Sequence, residues 1–168
     1  LNPGAFPSLK KFESEVLSMV AGLLGGDGQT AGNMTSGGTE SILMAVKTAR
    51  QKFRAERPDF TEPEIIMPVS AHPAFDKAGH YFDVKIRHIP LASDFRADVA
   101  AMRDAITDRT IMLVGRAPQS PQGIVDPLAE LAAIAPERDI LMPVDAFVGG
   151  LMLPFVRRLG RDVPDFDF

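Results

Sequence analysis

The sequence predicts an α/β domain in which a mostly parallel sheet is flanked by helices. Three apolar runs, residues 64–69, 110–115 and 140–144, have the composition and length of buried strands. Helix-forming segments separate them, and this alternation is typical of a parallel sheet that is covered on both faces. A chain of 168 residues can bury one sizeable core, so we expect a single domain.

Two helices are predicted ahead of the first strand. In residues 8–24 apolar side chains recur at helical spacing, Ser8 is a candidate N-cap, and Gly25 and Gly26 end the helix. The run 40–56 has apolar residues on one face and mainly charged residues on the other. We therefore expect this second helix to pack one side against the core.

Strands and helices alternate through the remainder of the chain. Ligands of such sheets bind beyond the carboxyl ends of the strands. The predicted elements are strand 64–69, helix 73–82, strand 84–89, helix 98–106, strand 110–115, a helix opened by Asp126 and Pro127 that runs to about residue 135, strand 140–144, a turn at Gly149 and Gly150, and an apolar segment at 151–159.

Composition argues against several classes of protein. The net charge of -4 and the lack of a basic cluster give no support to nucleic-acid binding. Cysteine is absent, and the spacing of eight between His72, His80 and His88 argues against a zinc site, so no metal is expected. No apolar run reaches the roughly eighteen residues of a membrane-spanning helix, and the ordinary charged content favours the cytoplasm.

The most informative segment is the loop that leads into the second helix. Gly37 and Gly38 let the backbone turn tightly and approach a ligand, and the helix that follows Thr39 offers unpaired N–H groups to an anion. The lysine of a Walker loop and the glycine spacing of a dinucleotide fingerprint are missing. These residues by themselves fit a phosphate cradle and a glycine turn that caps the helix equally well.

Three further candidates follow predicted strands. Asp145 comes directly after a hydrophobic strand, where a carboxylate is costly to bury alone, so it either pairs with a cationic ligand group or makes a cap or turn contact. His72 either stacks on a planar ligand or forms a hydrogen bond within its loop, whereas His80 and His88 are expected to be structural. The loop 118–123 either lines a pocket or only connects elements.

Taken in order along the chain, these segments resemble the pyridoxal-phosphate-dependent group II decarboxylase family of fold type I, and within it the sphingosine-1-phosphate lyase branch. The likeness covers nearly the whole chain, and its specificity comes from the ordered set. The similar segments are Phe6–Leu9 with Glu13 and Glu15, Thr35–Leu43, His72–Ala78 with His80–Phe82, Val114 and Gly115 with Ala117 and Pro118, Gly123–Pro127, and Val144–Gly150.

The resemblance implies an enzyme that binds pyridoxal 5'-phosphate and cleaves a carbon–carbon bond of a phosphorylated amino alcohol in a retro-aldol step. A ring nitrogen kept protonated by Asp145 makes the cofactor a stronger electron sink. The implied cofactor-binding residues are Gly37, Gly38 and Thr39 at the phosphate, His72 stacked on the pyridine ring, Asp145 at the ring nitrogen, and Ala146 or Phe147 near the opposite ring face.

The chain departs from the family pattern at three places. Arg116 stands where a small residue is usual, and it either contacts an anionic group or is solvated. Pro143 stands where a histidine often precedes the Val-Asp pair, and proline cannot donate to a strand ladder. The family lysine that forms the Schiff base follows the aspartate strand, but the last lysine here is Lys85.

Both ends of the sequence have the character of cut edges, since it does not begin with Met and stops at Phe168 without a closing element. We therefore expect residues 1–168 to be a partial large domain without the N-terminal segment, the lysine region and the C-terminal small domain. The resemblance also implies a homodimer. Two alternatives stay open: an amino-acid decarboxylase, and, for the chain by itself, a non-catalytic phosphate-binding or assembly module.

Overall fold

Two helices, α1 (Pro7–Leu23) and α2 (Gly38–Glu56), precede the sheet in the computed structural model, which describes residues 6–59 and 61–166. The outermost residues of the expected domain, 1–5 and 167–168, lie outside the described ranges. The later elements are β1 (Glu64–Pro68), α3 (Ala74–Phe82), β2 (Lys85–Ile89), α4 (Val99–Asp104), β3 (Thr110–Leu113), β4 (Gly115–Arg116), α5 (Leu128–Glu137), β5 (Val144–Asp145) and α6 (Gly149–Arg158).

The named strands pair in parallel, which confirms the predicted sheet. β1 lies between β2 and β3, and β4 pairs with β5. A parallel bridge between Met112 and Leu141 connects the two groups of strands. The fold is therefore the predicted α/β arrangement.

Two predicted strands are shorter than expected. The first is divided because the chain changes its pairing partner, and the second is shortened by a proline. The backbone N–H of Val114 donates to Ile66 O at 3.1 Å, whereas that of Gly115 donates to Pro143 O at 3.5 Å. The predicted strand 110–115 is thereby divided into β3 and β4. β5 begins only after Pro143, which has no N–H to donate.

Helices cover both faces of the sheet, as predicted. Successive β1 residues point to opposite sides, with Ile65 and Met67 in one core and Ile66 in the other. The first core receives the buried face of α2, and the second receives residues of α4 and α5. The α2 residues concerned are Ile42, Val46, Ala49 and Phe53, and the principal α4 and α5 residues are Met102, Leu131 and Ile134.

Two expectations about helix starts are wrong, and a third start is displaced slightly. The N-cap of α1 is Phe6 and makes no side-chain cap bond, so Ser8 lies inside the helix, which Pro7 opens. α5 begins at Leu128 with Pro127 as its N-cap, one residue after the predicted opening, and the Asp126 carboxylate caps no helix. The predicted turn at Gly149 and Gly150 is the first turn of α6.

α1 and α6 lie largely outside these two cores, although Leu153 of α6 packs against a third, smaller buried cluster of Ala117, Val125, Leu128 and Phe166. No residue of α1 is buried, and α6 buries only Gly149, Gly150 and Pro154. None of the helices in the described ranges is both long and apolar enough to cross a membrane. The two helices contact each other and expose apolar side chains.

Gly149 allows α6 to begin directly against the loop after β4. A Cβ atom at this position would lie 1.7 Å from Ala117 O, whereas one at Gly150 would lie 3.5 Å from Ala146 Cβ, an ordinary contact. We predict that Gly149→Ala lowers the free energy of unfolding by about 3 kcal/mol or more. Urea denaturation measures this change. Gly150→Ala is the matched control and should be neutral or slightly stabilising, and equal effects of the two variants would contradict the prediction.

Candidate functional site

The N-terminus of α2 presents free backbone donors. Gly37 is the N-cap, with φ 157° and ψ 174°, a region that is essentially restricted to glycine. The first intrahelical bond runs from Ser41 N to Gly37 O at 3.1 Å, so the N–H groups of Gly38, Thr39 and Glu40 have no partner within the helix. Such groups, at the positive end of the helix dipole, suit an anion.

A carboxylate holds this loop in shape. Glu40 Oε2 accepts hydrogen bonds from Ser36 Oγ and Ser36 N, both at 2.6 Å. The Ser36 hydroxyl and then the Ser36 backbone N–H lower the pKa of Glu40, so this side chain is ionised at neutral pH. Sequence reasoning missed this role, although a Ser four residues before a Glu at a helix start was a readable signal.

Phe147 brings the segment after β5 to the α2 terminus. A Cβ atom on Gly38 would lie 3.2 Å from Phe147 Cδ2, and 75% of Phe147 is exposed. Asp145 is only two residues earlier in the chain. The glycine loop before α2 and the aspartate segment therefore meet at the same end of the sheet.

Asp145 pairs with a cation of its own chain. Arg116 Nε lies 3.1 Å from Asp145 Oδ2, and the two side chains are 5% and 8% exposed. Of the two explanations offered for Arg116, contact with an anion is correct and solvation is wrong. Asp145 caps no helix, and within residues 6–59 and 61–166 its Oδ1 accepts no hydrogen bond.

The guanidinium of Arg116 is bonded on its other sides as well. Nη1 donates to Ser70 O at 2.6 Å and Nη2 donates to Ser120 Oγ at 3.1 Å. Ser70 follows β1, and Ser120 belongs to the loop after β4. This loop is therefore more than a connection, because it supports the residue that holds Asp145.

A second buried acid, Asp126, lies behind β4. Its Oδ1 accepts a hydrogen bond from Ala97 N and its Oδ2 from Arg116 N, both at 2.9 Å. Burial raises the pKa of Asp126, while the two backbone hydrogen bonds and the Arg116 charge act in the opposite direction. The sequence had suggested a helix start at this residue, and only the tertiary fold shows that its carboxylate joins two distant segments.

The three histidines contact neighbouring residues in the structure. His72 is exposed and its Nδ1 accepts a hydrogen bond from Ala74 N at 3.0 Å, which fits the loop explanation, while ring stacking stays a prediction. His88 lies 3.0 Å from Asp76, and His80 lies beside Tyr81. Across the described ranges, no group of three or more His, Cys, Asp or Glu is arranged to hold a metal ion.

The fold is that of fold type I enzymes, and a helix start with free N–H groups and an acid lie at the ends of its parallel strands. The pyridoxal-dependent decarboxylase conserved domain matches residues 3–167. The chain belongs to this family.

Three similar proteins illustrate the range of relatives. The sphingosine-1-phosphate lyase of Arabidopsis thaliana is 49% identical over the whole chain, which spans 32% of that protein. A probable L-tyrosine/L-aspartate decarboxylase of Methanothermobacter thermautotrophicus is 39% identical over 99% of the chain and 44% of its own length. The solved sphingosine-1-phosphate lyase of Burkholderia pseudomallei has a TM-score of 0.93 and 42% identity, over 98% of this chain and 40% of that one.

Replacing Asp126 with Asn tests the account of this buried acid. Asn has one acceptor oxygen where two backbone N–H groups need partners, so we predict a loss of about 1–3 kcal/mol in the free energy of unfolding. Burial raises the pKa of Asp126 above its ordinary value of 3.8. The stability that the protonated Asp126 side chain gives to the folded state is therefore complete below about pH 3.8, and it is lost as the pH rises through the raised pKa. The difference in the free energy of unfolding between the wild type and Asp126→Asn should therefore become smaller as the pH rises.

Urea denaturation of both proteins between about pH 4 and about pH 7 measures this difference, since other titrating groups are common to both. A deficit that widens as the pH rises would mean that Asp126 is favoured in its ionised form, contrary to the prediction.

Proposed function

We propose that this chain is the cofactor-binding part of a pyridoxal-phosphate-dependent lyase. The reaction is the retro-aldol cleavage of a carbon–carbon bond in a phosphorylated sphingoid base. The observation that supports this most directly is the meeting of the α2 anion seat with the Asp145 segment, through Phe147 and Gly38. Similarity to sphingosine-1-phosphate lyases along the whole chain supports the choice of substrate class.

The residues present fit the cofactor. The free N–H groups of Gly38 and Thr39, next to the tight backbone at Gly37, suit a phosphate, and the Thr39 hydroxyl can add a further donor. Asp145 Oδ1 accepts no hydrogen bond among the described residues and is not one of their buried unpartnered atoms, so it is accessible and a ring N–H could donate to it. The bound cofactor supplies an electron sink for the bond that breaks.

His72 and Phe147 are proposed to flank the cofactor ring. Both side chains are exposed, and neither is engaged in either of the two cores. Phe147 already lies against Gly38, so a ring whose phosphate is held at α2 would begin next to this aromatic side chain. Together with Asp145 these residues orient the ring and exclude water from one part of it.

We propose residues 1–168 as part of a large domain whose activity needs residues beyond this chain. The last lysine, Lys85, lies on β2, and none follows Asp145 to bind the cofactor covalently. The chain spans 32% of its Arabidopsis relative. By itself it is then a non-catalytic phosphate-binding module.

A second candidate function is the decarboxylation of an amino acid. It is favoured by the 39% identity to the probable L-tyrosine/L-aspartate decarboxylase. The cofactor-binding residues would act in the same way, and the substrate would be an amino acid instead of a phosphorylated amino alcohol.

We predict that the full-length gene product releases an aldehyde and phosphoethanolamine from sphingosine 1-phosphate. Asp145→Asn should lower turnover by about a hundredfold or more, because an amide holds the ring nitrogen without a negative charge. Coupled detection of the aldehyde measures the rate.

Two controls accompany the assay. The 168-residue chain should show no turnover and no borohydride-reducible cofactor adduct. Release of carbon dioxide from tyrosine or aspartate, without aldehyde from sphingosine 1-phosphate, would reject the lyase assignment in favour of the decarboxylase.

We further propose a homodimer that covers the apolar surface of α1 and α6. These two helices contact each other and both expose large apolar side chains, and exposed apolar patches mark interaction sites. The exposed apolar side chains of this surface are Leu9, Phe12, Val16, Met19, Leu151, Met152, Phe155 and Leu159. None of the α1 residues is buried, and the proposed second copy would cover the apolar face of this helix.

Phe12→Asp and Phe155→Asp should each weaken the dimer of the full-length product at least about tenfold, since a charge would be buried in the interface. Sedimentation equilibrium measures the dissociation constant. Tyr81→Asp, at an exposed aromatic position on α3, is the matched control. Dimers of unchanged affinity in both Phe variants would show that this surface is not the interface.

The cytoplasm is the proposed location of the protein. The proposal rests on the 24% charged content and the net charge of -4, which are those of an ordinary globular protein. Fractionation of cells that express the full-length product should place the protein in the soluble fraction. Its recovery in the membrane pellet would contradict the proposal.

A further inference from the structure

The Arg116 side chain is buried and is held by three hydrogen bonds. Its guanidinium donates to Asp145 Oδ2 at 3.1 Å, to Ser70 O at 2.6 Å and to Ser120 Oγ at 3.1 Å. The side chain is 5% exposed. The planar fork of an arginine loses little freedom per hydrogen bond, so three such bonds fix both the cation and the carboxylate it contacts.

The two carboxylate oxygens of Asp145 have different surroundings. Oδ2 is occupied by Arg116 Nε, and Oδ1 is without a partner among the described residues. A ring nitrogen held by this acid would therefore bind Oδ1. A ring nitrogen bound there would share the carboxylate with the guanidinium, and charges that share one partner shift each other's protonation.

The charge of Arg116 then acts against a second positive charge at the ring nitrogen. Asp145 favours the protonated ring, whereas the adjacent guanidinium disfavours it. Burial strengthens this opposition, because little water separates the groups. A small uncharged residue at position 116 would leave the effect of Asp145 unopposed.

We propose that Arg116 is a positioning residue of the cofactor site, which fixes the Asp145 carboxylate and weakens the protonation of the ring nitrogen that the carboxylate faces. The inference rests on the proposed cofactor site. Its consequence is a cofactor whose electron-withdrawing capacity is tuned by position 116 as well as by Asp145.

The test uses the full-length gene product loaded with pyridoxal phosphate labelled with ¹⁵N at the ring. The ¹⁵N chemical shift reports protonation of that nitrogen as the pH is varied. Arg116→Gln keeps a donor of similar shape without the charge, and the ring should then hold its proton to a pH about one unit higher than in the wild type. Arg116→Lys keeps the charge and should change the midpoint less.

A second variant leaves Arg116 in place, in case its removal prevents folding. Ser120 is exposed and accepts from Nη2, so Ser120→Glu adds a compensating carboxylate and should also raise the midpoint. Thr48→Glu, at an exposed position further along α2, adds the same charge away from the site and should not.

The outcomes separate the two proposals. Higher midpoints in Arg116→Gln and Ser120→Glu support the role of Arg116. A midpoint equal to the wild-type value in Ser120→Glu, or in a folded Arg116→Gln, overturns that role and leaves the cofactor site intact. A wild-type protein that binds no cofactor overturns the proposed function, and the role of Arg116 with it.

Discussion

A buried ion pair joins the ends of three strands, and the arrangement of the site depends on it. Arg116 and Asp145 are both nearly inaccessible to water, and their partnership compensates for the loss of hydration. Removing one member of such a pair typically costs about 3–5 kcal/mol, because the other charge is left alone. Through Ser70 the same arginine also binds the segment after β1. The position of the aspartate is therefore set by a network and not by its own strand alone.

Two acids near this network differ in how their oxygens are used. Both oxygens of Asp126 accept backbone N–H groups, so this carboxylate is committed to connecting Ala97 with Arg116. Asp145 uses one oxygen for Arg116 and keeps the other free of hydrogen bonds within the described residues. Asp126 is therefore fully engaged within the chain, whereas Asp145 keeps one oxygen that has no partner among the described residues.

Apolar side chains are distributed between a buried core and two exposed helices. The core lies on both faces of β1, while α1 and α6 hold apolar side chains at the surface. The candidate site lies where α6 begins, because Phe147 and Gly149 pack against Gly38 and Ala117 respectively. An assembly that covers α6 would thus be continuous with the segment that follows Asp145.

The sequence by itself determined the alternation of strands and helices, the buried face of α2 and the glycine loop before it, because hydrophobic period and glycine placement are local properties. It also named Asp145 and Phe147 as candidate site residues, and the structure places Phe147 beside Gly38. It did not reveal the division of strand 110–115, the start of α6 at Gly149, or the partners of Arg116 and Asp126. Those features depend on contacts between segments far apart in the chain, which only the tertiary structure brings together. A buried charge takes whichever partner the fold places beside it, and local pattern carries no information about that partner.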